Sequence, residues 1–109
     1  GYLDAVQYMA AHTSWPIVKV GSDHDFRNGL PIIFYSRYLP KNRSMVYLKL
    51  DAWPSEGPDW LLIHNTCSED FIPKSVVKAR GKTFRLAKSY PVLGLSGVGW
   101  HLYRNDLRF

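Results

Sequence analysis

The chain has 109 residues, of which 46% are hydrophobic and 15% aromatic, which is enough for one packed domain and too little for two. Its apolar runs are only a few residues long, so no segment approaches the roughly 20 apolar residues of a membrane-spanning helix. The single cysteine, Cys67, excludes an internal disulfide and a cysteine-rich zinc site. Fourteen Lys and Arg against nine Asp and Glu give a net charge of +5, which favours anionic partners.

The amino-terminal part predicts a helix followed by a buried strand. Residues 2–13 carry apolar side chains at helical spacing, with Asp4 in the first turn, so they predict an amphipathic helix that ends before Pro16. Residues 17–20 form a short β-branched run between Pro16 and Gly21, which is typical of the central strand of a parallel sheet.

A polar segment, residues 22–28, follows this strand and leads into a second helix. Apolar residues recur at helical spacing up to Leu39, and Pro40 ends the pattern. Because Pro31 is tolerated only in the first turn of a helix, the helix is predicted to begin near Asn28, with Asn28 as its N-cap.

Strand patterns dominate the rest of the chain. Strands are predicted at residues 45–50 and 60–64, and residues 82–90 and 99–106 predict an antiparallel pair at a sheet edge. Residues 71–80 could hold a short helical turn around Val76 and Val77, but the pattern is too short to assign. We therefore predict an α/β fold for all 109 residues, a small single soluble domain with a mixed sheet, two main helices and a carboxyl-terminal antiparallel hairpin.

Three residues are candidates for binding an anionic group: His24, Arg27 and His64. The polar segment begins where the first strand ends, and His64 ends a later strand. Because open α/β sheets bind ligands at the carboxyl ends of parallel strands, His24 and Arg27 are expected close to where His64 emerges. The alternative is that the polar segment only turns the chain and caps the helix, since Gly, Asp and Asn favour both roles.

Other chemistries find little support in the sequence. His24 with its neighbours Asp23 and Asp25 lacks a ligand from a distant segment, so no metal site is predicted. The polar segment has neither G-x-G-x-x-G nor G-K-[ST], so no nucleotide cofactor is predicted. The serine of "GLSGVG" (94–99) does not match the spacing of a nucleophile elbow, so no catalytic residue is assigned.

The order of the motifs resembles a known family. The segments "AVQYMAAHT", "VGSDHDFRNGLPIIFYSRYL", "GPDWLLIHN" and "FRLAKSYPVLGLSGVGWHLYRND" together resemble the soluble carboxyl-terminal region of bacterial multi-spanning membrane glycosyltransferases, the group similar to dolichyl-phosphate-mannose protein mannosyltransferases. Two segments carry the most specific similarity. One is "GPDW" with a following apolar strand and His64, and the other is "GLSGVGWHLYR", whose aromatic strand ends at Tyr103 and Arg104. The resemblance covers nearly all of the chain.

The resemblance implies a domain on the extracytoplasmic, periplasmic side of the cell membrane, excised from a longer protein and joined to a bundle of transmembrane helices. In such enzymes the donor is a polyprenyl-phosphate-linked sugar, and an acidic residue in a loop between membrane helices acts in catalysis. No segment here matches that loop. The chain is therefore expected to be an accessory, non-catalytic domain that acts on the acceptor path, on membrane contact or on stability, with its own transmembrane region and the membrane surface as partners.

Two other functions stay open from the residues alone. A free-standing α/β module could bind a phosphorylated or nucleotide ligand through the polar segment. A weak nucleic-acid binder could use the basic and aromatic residues of the 82–90 segment, namely Lys82, Phe84, Arg85, Lys88 and Tyr90. Nucleic acid is the less favoured partner, because those aromatic side chains fit a core equally well.

Overall fold

A computed structural model describes residues 2–65, 73–90 and 99–109, which form two α-helices and six strands. The helices are α1 (Tyr2–Ala11) and α2 (Leu30–Ser36), and the strands are β1 (Ile17–Ser22), β2 (Ser44–Tyr47), β3 (Trp60–Asn65), β4 (Val76–Ala79), β5 (Lys82–Tyr90) and β6 (Gly99–Asn105). They form one mixed sheet in the order β2-β1-β3-β6-β5-β4. The predicted small α/β fold is therefore confirmed.

The sheet has a parallel half and an antiparallel half. β1 lies between β2 and β3 and is parallel to both, which confirms its prediction as a central parallel strand. β6 is antiparallel to β3 on one side and to β5 on the other. The predicted antiparallel pair is thus present, but its position at a sheet edge is wrong, because β4 pairs with β5 and forms that edge.

Apolar side chains cover the sheet on both faces. Helices α1 and α2 pack on one face over the main core, whose buried members include Val6, Met9, Val18, Val20, Ile32, Trp60, Leu62 and Leu102. Leu61, Phe84 and Tyr103 form a smaller cluster on the other face, and Trp53 of the loop between β2 and β3 packs against it. Successive side chains of β3 therefore point alternately into the two clusters, because neighbouring residues of a strand face opposite sides of the sheet.

The segment that enters α2 differs from the prediction. Residues Asp25–Gly29 form a single π-helical turn, and the Nδ1 atom of His24 accepts a hydrogen bond from the backbone N–H of Arg27 at 3.0 Å. His24 is thus the cap, and the prediction of Asn28 as N-cap is wrong. Asn28 is fully buried, and its side chain is hydrogen-bonded to residues of other elements.

β4 occupies four of the ten residues, 71–80, that the sequence left unassigned, and it is a strand and not a helical turn. It turns into β5 through Arg80 and Gly81, whose φ angles of 51° and 79° are both positive. Two such residues are typical of the type I′ turns that join short hairpins. Cys67 and the Gly-Leu-Ser-Gly turn at 94–97 lie outside the described residues.

Two segments that carry the resemblance contact each other. Asp59 is fully buried, and its carboxylate accepts hydrogen bonds from the backbone N–H of Lys19 at 2.8 Å and from Nε of Arg108 at 2.7 Å. The side-chain amide of Asn105 donates to the carbonyls of Glu56 and Pro58 at 2.7 and 2.8 Å. The "GPDW" and "HLYRND" segments therefore fix the entry into β3 against the end of β6.

His101, on β6, gives the fold a pH dependence. It is 4% exposed, and burial lowers the pKa of His101 below its ordinary value of 6.5. The unfolded chain therefore binds this proton more readily than the folded chain, so the free energy of unfolding is expected to fall as the pH drops below about 6.5.

Urea unfolding at several pH values, compared between the parent chain and His101→Gln, measures this contribution. Both chains share the same carboxylates, so the difference in their pH dependence isolates His101. The parent is expected to lose more stability than the variant from about pH 7.5 to about pH 5. An equal loss in both chains would contradict the assignment.

Candidate functional site

The candidate site lies where the connections of the sheet diverge. From β1 the chain passes through α2 to β2 on one side of β1, and from β2 it crosses to β3 on the other side. The carboxyl ends of β1 and β3 are therefore adjacent, and the next strand along the chain lies on opposite sides of the pair, β2 beside β1 and β4 at the far edge beyond β6 and β5. In open α/β sheets this switch point forms the crevice in which ligands bind.

Side chains from both strand ends meet at this point. Nη1 of Arg27 lies 2.8 Å from Nε2 of His64, and Nδ1 of His64 lies 3.0 Å from Oδ1 of Asp23. The rings of His24 and His64 are nearly perpendicular, with their centroids 6.1 Å apart. We refer to Asp23, His24, Arg27, Asn28 and His64 as the switch-point cluster.

The hydrogen bonds fix the tautomer of His64. A guanidinium has donors and no acceptor, so Nε2 of His64 is unprotonated where Arg27 donates to it. Nδ1 then carries the proton and donates to Asp23. The side-chain nitrogen of Asn28 is 3.2 Å from this Nδ1 and 2.9 Å from Oδ1 of Asp23, and because both nitrogens are donors, Asn28 donates to Asp23.

Buried groups behind the cluster hold it in place. Asn28 is fully buried, and its Oδ1 accepts a hydrogen bond from the hydroxyl of Tyr2 at 2.7 Å. The same hydroxyl lies 3.2 Å from the carbonyl of Arg27, which the missing N–H of Pro31 leaves without a helical partner. Burial raises the pKa of Tyr2, so its hydroxyl stays a donor. α1 thus supports the cluster from one side.

A second set of bonds anchors the loop that carries the cluster. The hydroxyl of Tyr47, at the end of β2, donates to Oδ1 of Asp25 at 2.6 Å and lies 2.7 Å from Oγ of Ser22. The backbone N–H of Leu50 also donates to the Asp25 carboxylate. Burial, followed by the hydrogen bond to Asp25, raises the pKa of Tyr47, so this phenol does not ionise near neutral pH. The loop is therefore fixed to β1, to β2 and to the turn that follows β2.

Within the cluster, Arg27 presents a positive charge to solvent. Arg27 is exposed and forms no ion pair with any described residue, since its guanidinium donates to the neutral ring of His64. Nδ1 of His24 caps the π-helical turn, which leaves its Nε2–H as a donor. The carboxylate of Asp23 lies on the Nδ1 side of His64, away from Nε2. Arg27 and His24 therefore offer donors to an anion.

The two clefts that the structure describes do not include the switch-point cluster. Two clefts of about 490 and 260 Å³ in the described part of the chain lie elsewhere, beside β5 and β6 and between α1 and residues 38–43. Among the described residues, no group of three or more His, Cys, Asp or Glu side chains could hold a metal ion. Neither described helix has the length and apolarity to cross a bilayer.

The structure brings together the three residues that the sequence singled out, His24, Arg27 and His64. Whether they bind a ligand stays a prediction. Sequence reasoning missed Tyr2 and treated Asn28 as a cap, because neither shows a motif that links α1 to the polar segment. Asp23 carried a usable signal, since a carboxylate directly after a central strand faces whatever side chain ends the neighbouring parallel strand.

The aromatic residues of the 82–90 segment are not displayed for stacking. Phe84 is fully buried, and Tyr90 is half-buried against the main core. The basic residues of this segment are therefore left without the exposed aromatic surface that single-stranded nucleic-acid binding uses.

Comparisons of the chain with protein-family models, with curated proteins and with solved structures find no match.

Proposed function

We propose that the chain is an accessory extracytoplasmic domain of a membrane-bound glycosyltransferase, and that its switch-point cluster binds the phosphate group of the polyprenyl-phosphate-linked donor. The first part rests on the sequence resemblance, and the domain itself supplies no catalytic residue. One observation carries the second part: Arg27 is an exposed guanidinium without an ion pair among the described residues, and it donates to a neutral imidazole at the switch point.

Arg27 forms a stronger hydrogen bond to an anion than to its present acceptor, Nε2 of His64. A hydrogen bond from a guanidinium to a phosphate oxygen joins two opposite charges and is roughly twice as strong as one between neutral partners. Arg27 therefore gains by releasing Nε2 of His64 to bind a phosphate. His24 can donate its Nε2–H to the same oxygen atoms. The fork of the guanidinium also allows two parallel bonds to one phosphate.

Release of Nε2 gives His64 a second role. The freed nitrogen can take up a proton, and the resulting imidazolium keeps its Nδ1–H bond to Asp23 while Nε2–H donates to the phosphate. Binding is then coupled to the uptake of one proton.

A lipid-linked phosphate is the ligand that the sequence resemblance favours. A nucleotide gains most of its affinity from a pocket that encloses the base, and the two clefts described above lie away from the cluster. A lipid-linked phosphate needs only the charged contacts here, because its prenyl chain is held by the membrane. The free-standing module that binds a phosphorylated or nucleotide ligand is the second candidate, since the same cluster would serve it.

Calorimetric titration with a short-chain prenyl monophosphate tests the binding site. The prenyl phosphate and inorganic phosphate should both bind, the prenol that lacks the phosphate should not, and two buffers with different ionisation heats should report proton uptake. Equal binding of prenol, or no heat from either phosphate, contradicts the site. A nucleotide that binds more tightly than the prenyl phosphate favours the second candidate.

The coding sequence upstream of Gly1 tests the membrane enzyme separately. It is expected to encode several apolar spans of about 20 residues each. A gene that begins near Gly1 would contradict the membrane enzyme and leave the phosphate site to be judged by the titration.

A further inference from the structure

The outward side of α2 and its flanking residues carries large apolar side chains that are exposed. Phe26, Leu30, Ile33, Phe34 and Tyr38 are between 44% and 75% exposed. We call these five residues the α2 outer face. Leu30, Ile33 and Phe34 lie within α2, at the spacing that places side chains on one side of a helix. Phe26 lies in the π-helical turn before α2, and Tyr38 lies in the turn after it, where its ring centroid is 6.2 Å from that of Phe34.

The opposite side of the same helix already packs on the sheet. Ile32 is 1% exposed, and Tyr35 and Leu39 pack against the main core. A surface helix normally pairs its apolar core side with a polar outer side. Here the outer side is apolar as well, and exposed apolar patches of this kind mark contact with another protein or with a membrane.

The charges around the α2 outer face favour contact with a membrane over contact with another protein. Residues 26–43 contain no Asp or Glu and four basic residues. Arg43 is used within the fold, since its Nη1 donates to the carbonyls of Thr13 and Trp15. Arg27, Arg37 and Lys41 are exposed and form no ion pair with any described residue.

Arg37 links the charge to the α2 outer face. Its guanidinium carbon lies 4.5 Å from the centroid of the Phe34 ring. An arginine in this position can keep its charged group at the level of phosphates while the ring beneath it enters an apolar phase.

We propose that the α2 outer face docks on the surface of a bilayer that contains anionic phospholipids. Its apolar side chains enter the boundary between head groups and acyl chains, and the three exposed basic residues bind lipid phosphates, as in interfacial amphipathic helices. The proposal goes beyond the function proposed above and stands without it, because it rests on exposure and charge alone.

Docking in this way would also orient the switch-point cluster. Phe26 and Arg27 are consecutive, so insertion of the Phe26 ring brings the guanidinium of Arg27 to the level of the head groups. A phosphate carried by a lipid is found at that same level. The cluster and the α2 outer face would then act on the same membrane surface.

Vesicle flotation tests the docking. The parent chain should float with vesicles of phosphatidylcholine containing about 30% phosphatidylglycerol, float less with pure phosphatidylcholine, and dissociate as salt is raised. The double variant Phe26→Ser with Ile33→Ser should bind the anionic vesicles at least about tenfold more weakly, since it removes two of the inserted side chains.

The matched control is Ile17→Ser with Val46→Ser. These two side chains are 51% and 44% exposed, compared with 75% for Phe26 and 54% for Ile33, and they lie on the opposite face of the sheet. The control should bind the vesicles like the parent. Equal weakening in both double variants overturns the proposal, as does a parent chain that fails to float with anionic vesicles.

A reporter variant keeps the test independent of the serine substitutions. Phe26→Trp should lose fluorescence with vesicles whose acyl chains carry bromine, by more than the parent chain with its four native tryptophans. Sedimentation of the parent without lipid completes the test. A dimer that the Phe26→Ser, Ile33→Ser variant abolishes would assign the α2 outer face to a second copy of the chain and overturn membrane docking.

Discussion

Replacing Arg27 by glutamine is expected to weaken the binding of a prenyl monophosphate by about 10- to 100-fold, because a hydrogen bond to a charged group contributes about 1.5–3 kcal/mol. Arg27 is the charged donor of the switch-point cluster, and it holds Nε2 of His64 at 2.8 Å before the ligand arrives. The substitution removes that charge and its two-pronged contact. Calorimetric titration of the folded variant measures the change directly.

The control for Arg27→Gln is Lys78→Gln. Lys78 is an exposed cation on β4, at the opposite edge of the sheet from β2. Both variants lower the net charge by one, but at about 0.15 M salt charges more than about 8 Å from the ligand are largely screened. Lys78→Gln should therefore bind the ligand nearly as the parent does. Similar losses in both variants would mean that the chain attracts the phosphate by net charge alone.

Replacing Asp59 by alanine is expected to lower the free energy of unfolding by about 3 kcal/mol or more, because removal of one member of a buried ion pair strands its partners. The carboxylate is fully buried and accepts from Arg108, from the backbone of Lys19 and from the indole N–H of Trp15. Three donors would lose their acceptor at once. Urea unfolding measures the loss.

Asp106→Ala is the comparison for Asp59→Ala. Asp106 pairs with Arg85 at 2.9 Å, but Arg85 is 65% exposed, and exposed pairs contribute at most about 1 kcal/mol. If the two alanine variants lose equal stability, the "GPDW" segment does not hold the entry into β3.

The sequence predicted those parts of the structure that depend on local patterns. The β-branched run of β1, bounded by Pro16 and Gly21, identified a central strand, and the alternation of β5 and β6 identified an antiparallel pair. Because open α/β sheets bind ligands at the carboxyl ends of parallel strands, Arg27 was predicted to lie near His64. In the structure, Nη1 of Arg27 lies 2.8 Å from Nε2 of His64. These inferences needed only the period of a strand and the direction of parallel neighbours.

The parts that were missed depend on contacts between distant segments. Asn28 has the composition of a cap, but Tyr2 and Asp23 draw its side chain into the interior. The π-helical turn that makes this possible leaves capping to His24, a residue that rarely caps helices. β4 has too few residues to show a period, and pairing with β5 decides its structure. None of these choices is encoded within a single window of the sequence.

The most direct test of the account is nuclear magnetic resonance of the His64 ring nitrogens while a short-chain prenyl monophosphate is added to the ¹⁵N-labelled chain. Before addition, the account predicts a neutral ring with its proton on Nδ1, donated to Asp23. At saturation, it predicts a proton on both nitrogens and a new environment for the guanidinium of Arg27. A ring that keeps its neutral resonances while the ligand binds would contradict phosphate binding at the switch-point cluster.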